Sequence, residues 1–247
     1  MNSDEQSKML AKVRAILAKA EDPAASPLEA EAYFGKAASL MAKYGIERAM
    51  LAETKPETDK LTSRIVIVKG SYLLDRTALL TSITHALGGK TVRWRAYDWT
   101  SDKYVQQVKL YGYESMLDRA EMLYTSLLLQ AFNGMKQAKP AWGESTASFR
   151  KSWLSGFRVA VANRLTEADQ AAVEEANREI GRRPAELVLA TREKKVEALF
   201  KAENPKTRSA PKRRLTGTGW SEGNKAGKAA DLGGAQVGSG RRTALAG

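Results

Sequence analysis

Residues 91–113, with the sequence TVRWRAYDWTSDKYVQQVKLYGY, carry the clearest strand pattern in this chain of 247 residues. Side chains in residues 91–99 alternate between two compositions, which is the pattern of a strand whose two faces differ. One set is Val92, Trp94 and Ala96, and the other is Arg93, Arg95, Tyr97 and Trp99. Residues 100–102 (Thr-Ser-Asp) form a turn, and residues 104–113 form the returning strand. The stretch therefore predicts a β-hairpin.

The segments around this hairpin complete a small α+β unit. Residues 64–69 (RIVIVK) predict a strand, and residues 73–87 predict a helix that ends at a pair of glycines. Residues 114–138 predict a long helix with one apolar face. The resulting order, β-α-β-β-α, is typical of a sheet with helices covering one of its faces.

Two further helices are expected after this unit. They cover residues 145–180 and 184–203, and Thr166 is a candidate for a second helix start, with Asp169 three residues on. The apolar stripe of the first helix consists of Phe149, Trp153, Phe157 and Val161. The helix over residues 149–164 is the second candidate for a partner-binding surface, with Trp153, Phe157 and Arg158 as its candidate residues.

The C-terminal end is basic. Residues 181–247 contain 15 of the 40 Lys and Arg residues but only 6 of the 28 Asp and Glu residues, a net charge of +9. Such an excess favours a nearby nucleic acid or acidic protein, although it also simply improves solubility. Five cations form a candidate phosphate-contacting group: Lys206, Arg208, Lys212, Arg213 and Arg214. No DNA-reading motif accompanies them, so they predict binding without base recognition.

The N-terminal part predicts a helical hairpin over residues 8–46, KMLAKVRAILAKAEDPAASPLEAEAYFGKAASLMAKYGI. Ser26 and Pro27 suit the start of its second helix, and Gly45 suits a left-handed cap at its end.

The chain thus divides into four predicted parts, and the fold class is α+β and mostly helical. The parts are a helical hairpin at 1–51, a polar linker at 52–60, an α+β domain with long helices at 61–203, and a basic, Gly-rich segment at 204–247. Within the last part, residues 220–230 predict a short helix and residues 232–247 a flexible end.

Composition excludes several classes of function. The chain has no cysteine and a single histidine, His85, so thiolate metal sites, zinc chemistry and a Ser-His-Asp triad are not expected. No apolar run approaches the length of a membrane span, and the first residues do not resemble a signal peptide. We therefore expect a cytoplasmic protein without cofactor or metal.

One glycine motif and two carboxylate pairs look functional but have ordinary explanations. Residues 223–229 (GNKAGKA) fail as a phosphate loop, because the glycine spacing is short and no Ser or Thr follows the lysine. Asp118 with Glu121, and Glu175 with Glu179, are carboxylates at helical spacing without a third ligand. A solvated helix face explains both pairs.

The main candidate site is one face of the predicted strand at residues 91–99. Arg93, Arg95, Tyr97 and Trp99 place two guanidinium groups and two aromatic rings on one side, and these residue types dominate protein interface hot spots. The same groups suit stacking on nucleic-acid bases. A third interpretation is a structural hairpin whose side is covered by another helix of the chain.

Residues 8–46 resemble a family of unknown function that is common in actinobacteria and their phages. Two later segments are also similar to this family: SFRKSWLSGFRVAVANRL at 148–165 and WSEGNKAGKAADLG at 220–233. The whole layout resembles the recombination directionality factors of temperate Streptomyces phages that use large serine integrases.

The resemblance implies a protein without catalytic activity. Such a factor binds a phage-encoded integrase on att-site DNA, near the base of its coiled-coil subdomain, inside the host cytoplasm. It permits attL × attR recombination and disfavours attP × attB recombination. The pattern of apolar stripes favours a monomer when the partner is absent. The alternative is a phage DNA-binding protein that uses its basic C-terminal third.

Overall fold

The computed structural model describes residues 55–179, 185–211 and 213–230, together with scattered positions among residues 15–53. The predicted helical hairpin at 8–46 lies largely outside the described residues. Its end is described: residues 43–46 and 48–53 are helical. The helix therefore continues past Gly45, and the prediction of a left-handed cap at Gly45 is wrong.

The described part of the chain is mixed α+β and mostly helical, which confirms the predicted fold class. A short 3₁₀ helix covers Pro56–Thr58. The strands are β1 (Leu61–Val68), β2 (Lys90–Asp98) and β3 (Lys103–Tyr113), and the helices are α1 (Leu73–Ala86), α2 (Glu114–Gln137), α3 (Thr146–Glu179), α4 (Ala185–Glu203) and α5 (Trp220–Ala229). None of these helices is long and apolar enough to cross a bilayer.

The sheet is antiparallel, with β3 between β1 and β2. One face, called the core face, carries Val68, Val108 and Leu110 against Leu80 of α1 and Leu117 of α2, all of them buried. Because side chains alternate along a strand, the odd-numbered residues of β1 and β3 and the even-numbered residues of β2 lie on the opposite, outer face.

Helix α4 covers one end of the outer face, so the prediction that helices cover a single face is wrong. Tyr111 of β3 contacts Phe200 edge to face, with ring centroids 5.4 Å apart. The ammonium of Lys109 lies 2.6 Å from a carboxylate oxygen of Glu203. An amphipathic stripe does not reveal which surface it packs on, and therefore the sequence could not place α4.

Helices α3 and α5 form a further layer behind α1 and α2. Phe149, Trp153 and Phe157 of α3 are buried in one cluster with the apolar side of α2. Helix α3 runs without a break through Thr166, so the predicted second start is wrong. Asp169 pairs with Arg119 of α2, at 2.6 Å, instead of capping a helix.

Glycines allow α5 to approach α3 very closely. A Cβ atom on Gly223 would overlap the carbonyl oxygen of Trp153, and one on Gly156 would overlap that of Trp220. Arg164 of α3 donates hydrogen bonds to the carbonyl oxygens of Gly227 and Ala230. These bonds give partners to two carbonyl groups at the C-terminal end of α5, where the helix itself supplies no N–H donors. The glycine spacing that resembled a phosphate loop is thus a helix-packing pattern.

A buried carboxylate joins four segments of the chain at Asp59. Its side chain accepts hydrogen bonds from the backbone N–H and the hydroxyl of Ser115, at 3.0 and 2.8 Å, in the first turn of α2. It also contacts the guanidinium groups of Arg192 in α4 and of Arg48. The polarity of residues 52–60 predicted a linker, but Asp59 within them is only 1% exposed.

Candidate protein-interaction surface

The tip of the β2–β3 hairpin presents an exposed aromatic residue on a fixed turn. Trp99 is 86% exposed and lies directly after the last residue of β2. The carboxylate of Asp98 accepts hydrogen bonds from the backbone N–H of Thr100 at 3.1 Å and from the hydroxyl of Ser101 at 2.9 Å. These bonds close the turn around Trp99.

Lys69, the residue directly after β1, strengthens the same turn. The ammonium of Lys69 lies 2.5 Å from the carboxylate of Asp98. This hydrogen bond, followed by that from Ser101, lowers the pKa of Asp98 to about 2. Asp98 is therefore ionised at neutral pH and keeps all of these contacts.

The far side of the turn is fixed by Asp102. Its backbone is left-handed, with φ of 52°, a conformation that Asp tolerates better than most residues. Its carboxylate accepts a hydrogen bond from the Tyr97 hydroxyl, and this bond raises the pKa of Tyr97. The turn is thus pinned at both ends by aspartates.

Three of the predicted residues, Arg95, Tyr97 and Trp99, meet around Tyr104, and Arg93 lies farther along the same side of β2. We call this group the hairpin-tip cluster: Arg93, Arg95, Tyr97, Trp99 and Tyr104. The ring of Tyr97 packs edge to face against Trp99 and Tyr104, with centroid distances of 4.8 and 5.0 Å. The guanidinium carbon of Arg95 lies 3.4 Å from the centroid of Tyr104. Arg93 donates a hydrogen bond to the side-chain carbonyl of Gln106 at 3.1 Å.

Tyr104 was missed as a candidate in the sequence, although it faces Tyr97 directly across the hairpin. Counting back from the turn would have paired the two residues. Tyr104 is 53% exposed and Arg95 is also exposed, so none of the helices α1–α5 covers this part of the cluster.

The arrangement suits recognition of another protein. Edge-to-face rings and a stacked guanidinium restrict side-chain freedom before binding, which reduces the entropy lost when a partner docks. The residue types are those of interface hot spots. The binding role of Arg93, Arg95, Tyr97 and Trp99 stays a prediction.

The second predicted surface must be corrected. Trp153 and Phe157 are each 2% exposed and stack on each other beneath α5, so a partner cannot reach them in the folded protein. Arg158 is half-buried and donates to the hydroxyl of Ser82 at 3.0 Å. Burial, the larger effect, lowers its pKa, and nearby Asp75 opposes this change. Its predicted role in partner binding is untested.

The basic group is only partly available to DNA. Lys206, Arg208 and Arg214 are exposed on an irregular segment, whereas Lys212 lies outside the described residues. Arg213 pairs with Asp75 at the start of α1, at 2.7 Å. This pair ties the segment to the body of the protein.

Trp142, between α2 and α3, is fully exposed and was not predicted as a candidate. The carboxylate of Glu144 accepts hydrogen bonds from the backbone N–H and the hydroxyl of Thr218, both at 2.7 Å. The loop that carries Trp142 is therefore also tied down. The flanking Pro140 and Gly143 mark a loop, which was the available signal.

A cavity of about 520 Å³ lies between α2, α3 and α4. The arginines in its wall take part in the fold: Arg119 pairs with Asp169, and Arg192 pairs with Asp59. Within the described ranges, no group of three or more His, Cys, Asp or Glu residues is placed to hold a metal ion.

The hairpin-tip cluster thus has the composition and exposure typical of a protein-binding surface. Residues 8–48 match the model of a family described as "Protein of unknown function (DUF2786)", in agreement with the resemblance to a family of unknown function over residues 8–46. Searches of curated proteins and of solved structures found no match to the chain.

Proposed function

We propose that the chain has no catalytic activity and acts by binding another protein through the hairpin-tip cluster. The proposed partner is a phage-encoded large serine integrase on att-site DNA. The proposed effect is a switch from attP × attB integration to attL × attR excision in the host cytoplasm. The chain is then a recombination directionality factor.

The observation that carries the proposal is Trp99, exposed on a turn that Asp98 and Asp102 hold in place. A fixed aromatic anchor that packs on Tyr97, with an exposed arginine stacked on the adjoining Tyr104, supports protein binding rather than chemistry. The choice of partner rests on the resemblance of the whole layout of the chain to phage directionality factors. Residues 8–46, 148–165 and 220–233 resemble the wider family of unknown function.

The hairpin-tip cluster can supply the difference in binding free energy that such a switch requires. Reversing a two-state equilibrium from 1:99 to 99:1 needs a difference in affinity of about 5.5 kcal/mol between the two arrangements of the partner. A hot-spot residue contributes about 2 kcal/mol or more. Two or three residues of the hairpin-tip cluster therefore suffice, without a pocket or a cofactor.

In a recombination assay with the cognate integrase, the wild-type protein is expected to start attL × attR recombination and to suppress attP × attB recombination. Trp99→Ala and Arg95→Glu should each weaken binding to the integrase by at least about 2 kcal/mol, roughly 30-fold. Trp142→Ala, which removes an equally exposed tryptophan from another loop, is the matched control and should retain activity.

Two outcomes would contradict the proposal. If the wild-type protein changes neither reaction, the directionality function is wrong. If Trp99→Ala and Trp142→Ala bind integrase as tightly as the wild type, the partner binds elsewhere on the protein.

Direct DNA binding is the second candidate, because Lys206, Arg208 and Arg214 are exposed on an irregular segment. Truncation at Asn204 is a poor test, since it also removes α5 from the core. Replacing the three cations with alanine leaves α5 in place. If all three contact phosphates, the slope of log K against log salt should decrease by about 3 in a DNA-binding titration. An unchanged slope would exclude this role for them.

A further inference from the structure

One half of the outer sheet face carries exposed apolar residues on its two edge strands, with Lys109 and Gln107 of β3 between them, and no element that the structure describes covers it. Ile65 and Ile67 of β1 are 51% and 52% exposed, and Trp94 of β2 is 39% exposed. Strand register places them in two neighbouring rows across the sheet, Ile65–Lys109–Val92 and Ile67–Gln107–Trp94. We call this region the free half-face. Isolated exposed apolar residues are common, but three large ones gathered on the same sheet face indicate a binding surface.

The other half of the same face shows what kind of element it accepts. Helix α4 lies there with Phe200 against Tyr111, while its glutamates pair with lysines of the sheet. These pairs are Glu197 with Lys90, at 2.7 Å, and Glu203 with Lys109, at 2.6 Å. The sheet therefore already holds one helix by an apolar contact on β3 together with glutamate–lysine pairs, one on β3 and one on the edge strand β2.

The charges around the free half-face fit a second helix of the same kind. Lys103 is exposed on the outer face beyond Val105. The chain leaves α4 at this face, where the amide of Asn204 donates to the Tyr111 hydroxyl at 2.9 Å. The exposed Lys206 and Arg208 follow immediately. Exposed cations thus lie at the hairpin end of the outer face, at Lys103, and directly after the point where the chain leaves this face at Tyr111.

We propose that the free half-face binds an amphipathic helix of a partner protein, one with an apolar stripe and acidic residues beside it. Apolar side chains of that helix cover Ile65, Ile67 and Trp94, and its carboxylates face Lys103, Lys206 and Arg208. The side chains of Arg93 and Arg95 lie on the opposite side of β2, so this site is separate from the hairpin-tip cluster. The proposal for the free half-face does not depend on whether the partner of the hairpin-tip cluster is an integrase.

A displayed library of helical peptides, each about 18 residues and therefore roughly 27 Å long, tests the proposal on the full chain. Selection is expected to enrich peptides with an apolar stripe flanked by Asp or Glu. Anisotropy titration of an enriched, labelled peptide should show at least about tenfold weaker binding to the Ile67→Glu variant. Leu129→Glu is the matched control, because Leu129 is 51% exposed on α2, and its affinity should not change.

Enrichment of basic or non-helical peptides, or no enrichment, would overturn the proposal. So would equal binding to the wild type and to Ile67→Glu. Sedimentation velocity provides a separate check. If the wild type is a dimer and Ile67→Glu is a monomer, the occupant of the free half-face is a second copy of the chain, and the proposal is wrong.

Discussion

Replacing Asp59 with asparagine is expected to lower the free energy of unfolding by about 3–5 kcal/mol. The substitution keeps the shape of the side chain but removes the negative charge between two guanidinium groups. The side chains of Arg48 and Arg192 are 3% and 11% exposed, so water cannot replace the lost carboxylate. Urea denaturation followed by far-UV circular dichroism measures the change.

Asp118→Asn is the control for this experiment. Asp118 also pairs with an arginine, Arg64, at 3.0 Å, but both side chains are about a third exposed. An exposed pair contributes less than about 1 kcal/mol, so this variant should unfold close to the wild type. If Asp59→Asn and Asp118→Asn have equally small effects, the buried carboxylate does not hold the four segments together.

Gly223→Ala is expected to detach α5 from α3. One added methyl group would collide with the carbonyl oxygen of Trp153, which belongs to a helix backbone and cannot rotate away. Overpacking of this kind costs about 1–3 kcal/mol, and the cost rises if α5 leaves altogether and exposes Trp153 and Phe157. Amide hydrogen exchange should show loss of protection in Trp220–Ala229.

The same substitution at Gly45 is the control. Gly45 is helical, and an added Cβ there meets no atom within 4 Å. Because alanine favours helix over glycine, Gly45→Ala should be neutral or stabilise the protein by up to about 1 kcal/mol. Protection of α5 in Gly223→Ala equal to that in the wild type would mean that the helices are not in backbone contact.

The sheet and its two flanking helices could be predicted closely from the sequence. Helix α1 was expected at 73–87 and occurs at Leu73–Ala86, and β2 was expected at 91–99 and occurs at Lys90–Asp98. The local signals agree in this region: alternation in the strands, a period near 3.6 in the helices, and turn residues between them. The hairpin-tip cluster was predictable for the same reason.

Long-range packing was not predictable, because the same pattern serves two purposes. An apolar stripe has the same sequence pattern whether a partner or the chain itself covers it, so the sequence predicts a binding surface at Trp153 and Phe157, which the fold buries. The glycines of α5 likewise show their role, close helix packing, only once the fold places Gly223 against the backbone of Trp153. Asp59 is a single polar residue in a polar segment, and nothing nearby in the sequence marks it as buried.

The contacts of Asp59 also have a consequence for the order of folding. They join residues that are 56 apart along the chain, at Ser115, and 133 apart, at Arg192. Closing such long loops is entropically costly, and contacts of this kind slow folding. A nascent chain that has formed its sheet but not yet α4 carries Asp59 without one of its two arginine partners, Arg192, and an uncovered Tyr111. The sheet therefore reaches its final stability only after α4 has formed and packed against its outer face.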